Sequence, residues 1–214
     1  MLEEKNKVFY IDTNIALDCA TNRNIHTILL IERIKEQNWK CVSSAFLAME
    51  MADYKKDSLF ITDRIINKKW ETRKVLREVY KKTLRESDYE ELSEWLKEFN
   101  QRYKIEMYDF LSEAKGWDLA QQISNKYSIT AADSIHLASA VLGSLSQGIE
   151  IFITEDKDLK QITYQIVKDL KVENPELSLQ PMNVEEVKKS YFQPLSIQVD
   201  KKVDVAERTV SERW

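Results

Sequence analysis

Glycine and proline are scarce in this chain of 214 residues, with three of each. No glycine precedes Gly116 and no proline precedes Pro175, so the first half carries no strong breaker of regular structure. That excludes a fold of many short strands joined by Gly- and Pro-rich turns, and favours helices. Cysteine is equally sparse. Cys19 and Cys41 belong to no ligand-spaced cluster, which excludes a disulfide framework or a Cys-based zinc site and suits a reducing compartment. His26 and His136 are the only histidines, so no histidine-rich metal site competes. Long apolar runs are missing too. The run Val8–Ile11 is far shorter than a signal-peptide core or the roughly 20 apolar residues of a membrane span, so a cytoplasmic protein without a membrane partner is expected. Excess positive charge is also lacking: the net charge is −4, and any nucleic-acid site must rest on a local basic patch.

What is present is 43% hydrophobic and 32% charged residues, the balance of a globular domain with a strongly charged surface. Val8-Phe9-Tyr10-Ile11 reads as a strand buried on both faces. Asn24 caps a predicted helix to about Gln37, whose apolar face is Ile25, Ile28, Leu29, Ile31 and Ile34. A short strand at 40–43 follows. Ser43 or Ser44 is expected to cap the next helix, to about Lys56. From about Ser58 to Asn125 the pattern is helical throughout. Thr130 opens a helix over 131–147 that Gly148 ends, and Ile149–Ile153 is a further strand. Asp156–Leu159 reads as one helical turn and Asn183–Tyr191 as a helix. This order indicates an α/β fold, three layers with a central parallel sheet and an added helical block. The expected division is one domain over 1–175, interrupted by that block at about 57–126, with 176–214 as an extension.

Four acidic positions fall where such folds gather functional groups, at the carboxyl ends of strands and the adjoining helices. Asp12 follows the first strand. Glu50 sits in the nearly apolar stretch Ala45–Ala52, where an unpaired carboxylate is costly. Asp133 lies in the first turn of the 131–147 helix. Asp156, with Asp158 beside it, follows the strand at Ile149–Ile153. Each has a plain alternative: Asp12 and Asp133 as helix-start acids, Asp156 and Asp158 as turn acids, Glu50 at the edge of a surface helix. Together they repel one another unless a cation neutralises them, and oxygen ligands favour Mg²⁺ or Mn²⁺ over zinc. For His136, one turn after Asp133, a packing role is expected.

Val8–Asn14, the stretch Ser43-Ser44 through Glu50, Ala132–Ala140 and Phe152–Leu159 together resemble the PIN-domain family, which includes toxin ribonucleases of toxin–antitoxin pairs. The resemblance frames about 7–56 and 126–172. It implies a Mg²⁺- or Mn²⁺-dependent endoribonuclease leaving 5′-phosphate and 3′-hydroxyl ends. Asp12, Glu50, Asp133 and Asp156 or Asp158 form its acidic set, with Asn14 and Thr154 as polar helpers. Asp12 and Asp133 are the expected direct ligands, with Glu50 and Asp156 or Asp158 completing the shell. The partners implied are an RNA substrate, a small antitoxin whose peptide enters the acidic cleft, and a second copy of the chain as a homodimer. Two features depart from a compact toxin: the block at 57–126 and the tail after about Glu173.

That block holds eleven Lys or Arg against four Asp or Glu between Lys55 and Arg85. Lys69, Arg73, Arg77, Lys81 and Arg85 recur every fourth residue, a stripe on one helix that is either an RNA track or a solvated face. The aromatic residues Tyr89, Trp95, Phe99, Tyr103, Tyr108 and Phe110 suit helix packing. Two other functions fit less well. A haloacid-dehalogenase-like phosphatase needs a second Asp followed by Gly where Asn14 and Ile15 stand. A PIN-like scaffold that binds RNA or protein without cutting leaves four acidic positions unused.

Overall fold

A computed structural model describes residues 6–192. Five parallel strands form its sheet, in the order β3-β2-β1-β4-β5. Strand β1 (Val8–Ile11) lies at the centre, flanked by β2 (Lys40–Ser44) and β4 (Ile151–Ile153), with β3 (Glu106–Tyr108) and β5 (Gln180–Met182) at the edges. The chain steps outward from β1 through β2 to β3, then returns across the centre to β4 and β5. The point of reversal lies between β1 and β4, and open α/β sheets place their ligand crevices at the carboxyl end of such a point.

Alternation along the strands splits the core into two layers. Phe9, Ile11, Cys41, Ile151 and Ile153 face one side. There they meet α1 (Thr13–Ala20), α2 (Ile25–Glu36), α3 (Phe46–Thr62), α5 (Glu86–Tyr103) and α9 (Val184–Tyr191). Tyr10, Val42 and Phe152 face the other, against α6 (Ala114–Tyr127), α7 (Ala131–Gln147) and α8 (Lys157–Leu170). This is the three-layer α/β/α arrangement expected from the element order. Both cysteines are buried and free, and burial pushes the Cys19 thiol up to about 12, which keeps it an inert apolar side chain.

Several local expectations need correcting. The stretch 58–125 is not helical throughout: Glu106-Met107-Tyr108 is an edge strand, and Val42, Ser43 and Ser44 pair with it. Three residues are too short a run to show a period, so the pairing was invisible without β2. Neither Ser43 nor Ser44 caps α3. Both are in β2, the Ser43 hydroxyl donates to the Ile11 carbonyl, and the helix starts after Ala45 without a side-chain cap. The turn at Asp156–Leu159 grows into the 14-residue α8, because Leu159, Thr163 and Ile166 repeat at helical spacing and are all buried. The segment 176–192 is part of the domain rather than an extension beyond it. It supplies β5 and α9, with Leu177, Leu179, Met182, Val184 and Val187 all buried. The rest of the expected extension, 193–214, lies outside the described residues.

The basic stripe is also divided. Helix α3 ends in a π-helical turn at Asp63–Asn67, α4 covers only Thr72–Glu78, and a 3-10 turn holds Val79–Lys81. Only Arg73 and Arg77 lie on α4. Lys69 sits in the preceding turn with φ +54°, Lys81 in the 3-10 turn beside Glu78, and Arg85 at the start of α5, where it pairs with Asp88. Between residues 61 and 87 Val75 alone is buried, so no continuous apolar face holds these residues in one long helix. Of the aromatic residues in this block, Phe99 and Tyr103 pack in the core, whereas Tyr89 is exposed.

Candidate active site

The central strands end together. The Asp12 N–H donates to the Ile153 carbonyl at 3.1 Å, and the Thr154 N–H to Met182 at 3.0 Å. Asp12, just after β1, and Thr154, just after β4, therefore sit side by side at the reversal point of the sheet. Asp12 is 4% exposed. Its extended backbone makes it the N-cap of α1, with Oδ1 accepting the Thr13 N–H at 2.7 Å. Oδ2 accepts from Asn14 Nδ2 at 2.6 Å and from Thr154 Oγ1 at 2.8 Å.

Both helpers are themselves held. Thr154 Oγ1 accepts from Asn14 Nδ2 and from the Asp156 N–H, each at 3.1 Å. Asn14 Oδ1 accepts the Glu155 N–H at 3.3 Å, which fixes the orientation of its amide. The plain reading of Asp12 as a cap is thus correct as geometry, yet it leaves out most of what the carboxylate does. A carboxylate gripped by three donors keeps one orientation, as a ligand must.

Asp133 lies nearby in the first turn of α7. Thr130 caps that helix, accepting the Asp133 N–H at 3.1 Å and donating its hydroxyl to Asp133 Oδ2 at 2.7 Å. Burial, with a smaller push from the Asp133 charge, raises the Asp12 carboxyl above its usual range. The His136 imidazole and the hydrogen bonds from Thr154 and Thr13 pull it the other way.

Glu50 enters from α3. Its Oε2 accepts from the Thr13 hydroxyl and lies 2.5 Å from His136 Nε2. Burial alone would raise this carboxyl, but the hydrogen bonds from His136 and Thr13 bring it below the usual range. Beside it opens a hollow of about 740 Å³, whose walls include Thr13, Leu17, Phe46, Met49, Glu50 and Asp53.

Hydrogen bonds thus join Asp12, Asn14 and Thr154, Thr13 links Asp12 to Glu50, and Asp133 lies close enough for its charge to act on Asp12. Asp156 and Asp158 stand apart, both exposed. Asp156 Oδ1 accepts the N–H groups of Asp158 and Leu159 at 2.9 Å and caps α8. It meets the site through its own N–H on Thr154. Sequence reasoning missed Thr13, Tyr10 and the polar role of His136. Position gave a signal for two of them: Thr13 adjoins Asp12, and His136 follows Asp133 by one turn, on the same helix face.

The donor chemistry suits a hard divalent cation. Asp12 is a buried carboxylate that forms no ion pair with Lys or Arg among the described residues, and a second carboxylate disfavours its charge further. Among the described residues no three Asp, Glu, His or Cys side chains stand close enough together to hold a metal ion. Among the described residues no helix is long and apolar enough to cross a membrane.

A solved structure similar to this chain is that of VapBC2 from Rickettsia felis bound to a DNA fragment from their promoter. It is 15% identical, covers 81% of this chain and 98% of its own, and gives a TM-score of 0.46. Comparison with curated proteins gives no significant match. The family model described as "PIN domain" matches residues 9–163, which contain β1 to β4 and every acidic residue of the site. PIN domains are generally nucleases and typically use divalent metal ions, and by that match this chain belongs to the PIN-domain family.

Proposed function

We propose that this protein is a Mg²⁺- or Mn²⁺-dependent endoribonuclease. The observation that carries the reading is Asp12: a buried carboxylate at the reversal point of the sheet, gripped by Thr13, Asn14 and Thr154 and lying within the field of Asp133. A divalent cation bound there would lower the pKa of a water and offset charge on the phosphodiester. Asp12 and Asp133 are its proposed direct holders. Glu50 completes the set from α3, and the Asp156–Asp158 turn stands at the outer edge. Asn14 and Thr154 keep the Asp12 carboxylate from turning away. Lys69, Arg73, Arg77, Lys81 and Arg85 remain candidates for phosphate contacts, as separate positions rather than one track.

The hollow beside Glu50 combines apolar Leu17, Phe46 and Met49 with acidic Asp53. That lining supports a protein partner of antitoxin type, inserting a peptide with apolar and basic side chains.

The test incubates purified protein with single-stranded and structured RNAs in Mn²⁺, Mg²⁺ or EDTA, beside an Asp12→Asn/Asp133→Asn double variant. Cleavage is expected for the wild type with metal alone, and a loss of more than about a hundredfold in the variant. Wild type that binds Mn²⁺ and RNA but cuts none of the panel favours the non-catalytic scaffold. Equal cleavage in EDTA defeats the metal-dependent reading.

A further inference from the structure

Strand β1 carries one polar side chain in an otherwise apolar run, and that side chain, Tyr10, is completely buried. Its hydroxyl accepts the Ser44 N–H at 3.1 Å and lies 2.9 Å from His136 Nδ1. His136, on α7, is 1% exposed. Its other nitrogen, Nε2, lies 2.9 Å from the Thr13 hydroxyl oxygen and 2.5 Å from Glu50 Oε2. Five elements thus contribute to one network of hydrogen bonds that ends on a single carboxylate oxygen.

Donors and acceptors along the chain assign the protons. The Tyr10 hydroxyl has one proton to give, and His136 Nδ1 is the acceptor within reach. With Ser44 donating to it, Tyr10 donates onward to His136 Nδ1. The Nε2 proton of the imidazole then points at Glu50 Oε2, with Thr13 alongside. The Thr13 hydroxyl donates to the same Oε2. Oε1 accepts no hydrogen bond among the described residues. A buried Tyr–His pair is a poor choice for packing alone, since each polar atom must find a partner in a low-dielectric interior. A Phe–Leu pair would fill the space without that demand.

We propose that His136 is a positioning residue: held by Tyr10, and with Thr13 beside it, it fixes Oε2 of Glu50 so that Oε1 is presented to the cation. The inference rests on the metal-dependent reading above. It extends the support of Asp12 to the second carboxylate: Asn14 and Thr154 hold one, His136 and Thr13 the other. The imidazole itself touches neither cation nor RNA.

Mn²⁺ binding to the full chain, measured by isothermal titration calorimetry, tests this with His136→Leu, His136→Gln and Tyr10→Phe. Thermal melting of the metal-free forms is followed in parallel. His136→Leu is expected to weaken Mn²⁺ binding about tenfold, the usual cost of losing a group that orients a ligand. His136→Gln, whose amide N–H can replace Nε2–H, is expected to stay within about threefold of wild type. Tyr10→Phe, which leaves the imidazole without its tether, is expected to fall between them.

His136→Leu binding as tightly as wild type overturns the proposal. So does His136→Gln weakened as much as His136→Leu, with affinity following melting temperature, because that pattern marks a packing residue. Should His136→Leu fail to fold, Tyr10→Phe and His136→Gln decide, and wild-type affinity in Tyr10→Phe overturns the role. Wild type that binds no Mn²⁺ removes the metal reading and this role with it. Wild type that binds normally while the variants match it removes only the positioning role.

Discussion

The hydroxyl of Thr154 touches three groups at once: it donates to Asp12 and accepts from Asn14 and from the Asp156 N–H. Thr154→Val keeps the shape of the side chain and removes all three bonds. The expected result is roughly a tenfold fall in metal-dependent cleavage, read as initial rates, with the chain still folded. Unchanged rates would show that Asp12 needs no donor from β4. Asp12, Asn14, Glu50, Asp133 and Thr154 were legible from the sequence because each stands at a strand end or a helix start, within a short run of fixed pattern. His136 was legible as a residue but not in its role. Its partners Tyr10 and Glu50 lie 126 and 86 residues away in sequence, and no local pattern reports such a distance.

Helix starts and crossings decide the elements. At the head of α5 the Asp88 carboxylate accepts from the Arg85 N–H at 2.8 Å and pairs with the Arg85 guanidinium. Those bonds hold its carboxyl below the ordinary value of 3.8. A depressed native pKa means that the unfolded chain binds more protons, so stability rises with pH through this range. The contribution is present above 3.8 and fades as pH falls through the lower native value. Asp88→Ala is therefore expected to cost about 1 kcal/mol at neutral pH. In urea melts over a pH series the difference from wild type should vanish in acid, and a gap that persists there would assign the loss to packing.

Gly143 in α7 makes the opposite case. A Cβ there would lie 2.3 Å from Ile149 Cδ1 and 3.1 Å from the Phe110 ring. Alanine gains about 1 kcal/mol in helix propensity but costs roughly 1–3 kcal/mol in overpacking, so Gly143→Ala should lower the melting temperature. A higher one would mean that Ile149 yields easily. The sequence marked Gly148 as the helix end correctly, at φ +69°. Nothing in it marked Gly143 as a crossing point.

At the scale of the whole molecule, the sheet needs its last strand. Ending the chain at residue 175 removes β5 and α9, leaves β4 paired only with β1, and strips Leu177, Leu179, Met182, Val184 and Val187 from the core. It also removes the Met182 carbonyl that anchors Thr154. Loss of cooperative thermal unfolding, followed by circular dichroism with dye binding to exposed apolar surface, is expected. A sharp melt at the wild-type temperature would show that 1–175 folds alone.

The sequence by itself determined β1, α2, α7 and α9 and named the acidic residues as candidates, because each is written in neighbours a few positions apart. Only the tertiary structure decided that Glu106–Tyr108 and Gln180–Met182 are strands, since three-residue edge strands exist only by pairing with a partner elsewhere in the chain. It also decided that Thr13 links Asp12 to Glu50 while the Asp156 side chain caps its own helix. Which carboxylates share a cleft depends on how three elements cross, and crossing is a property of the packed core rather than of any one segment.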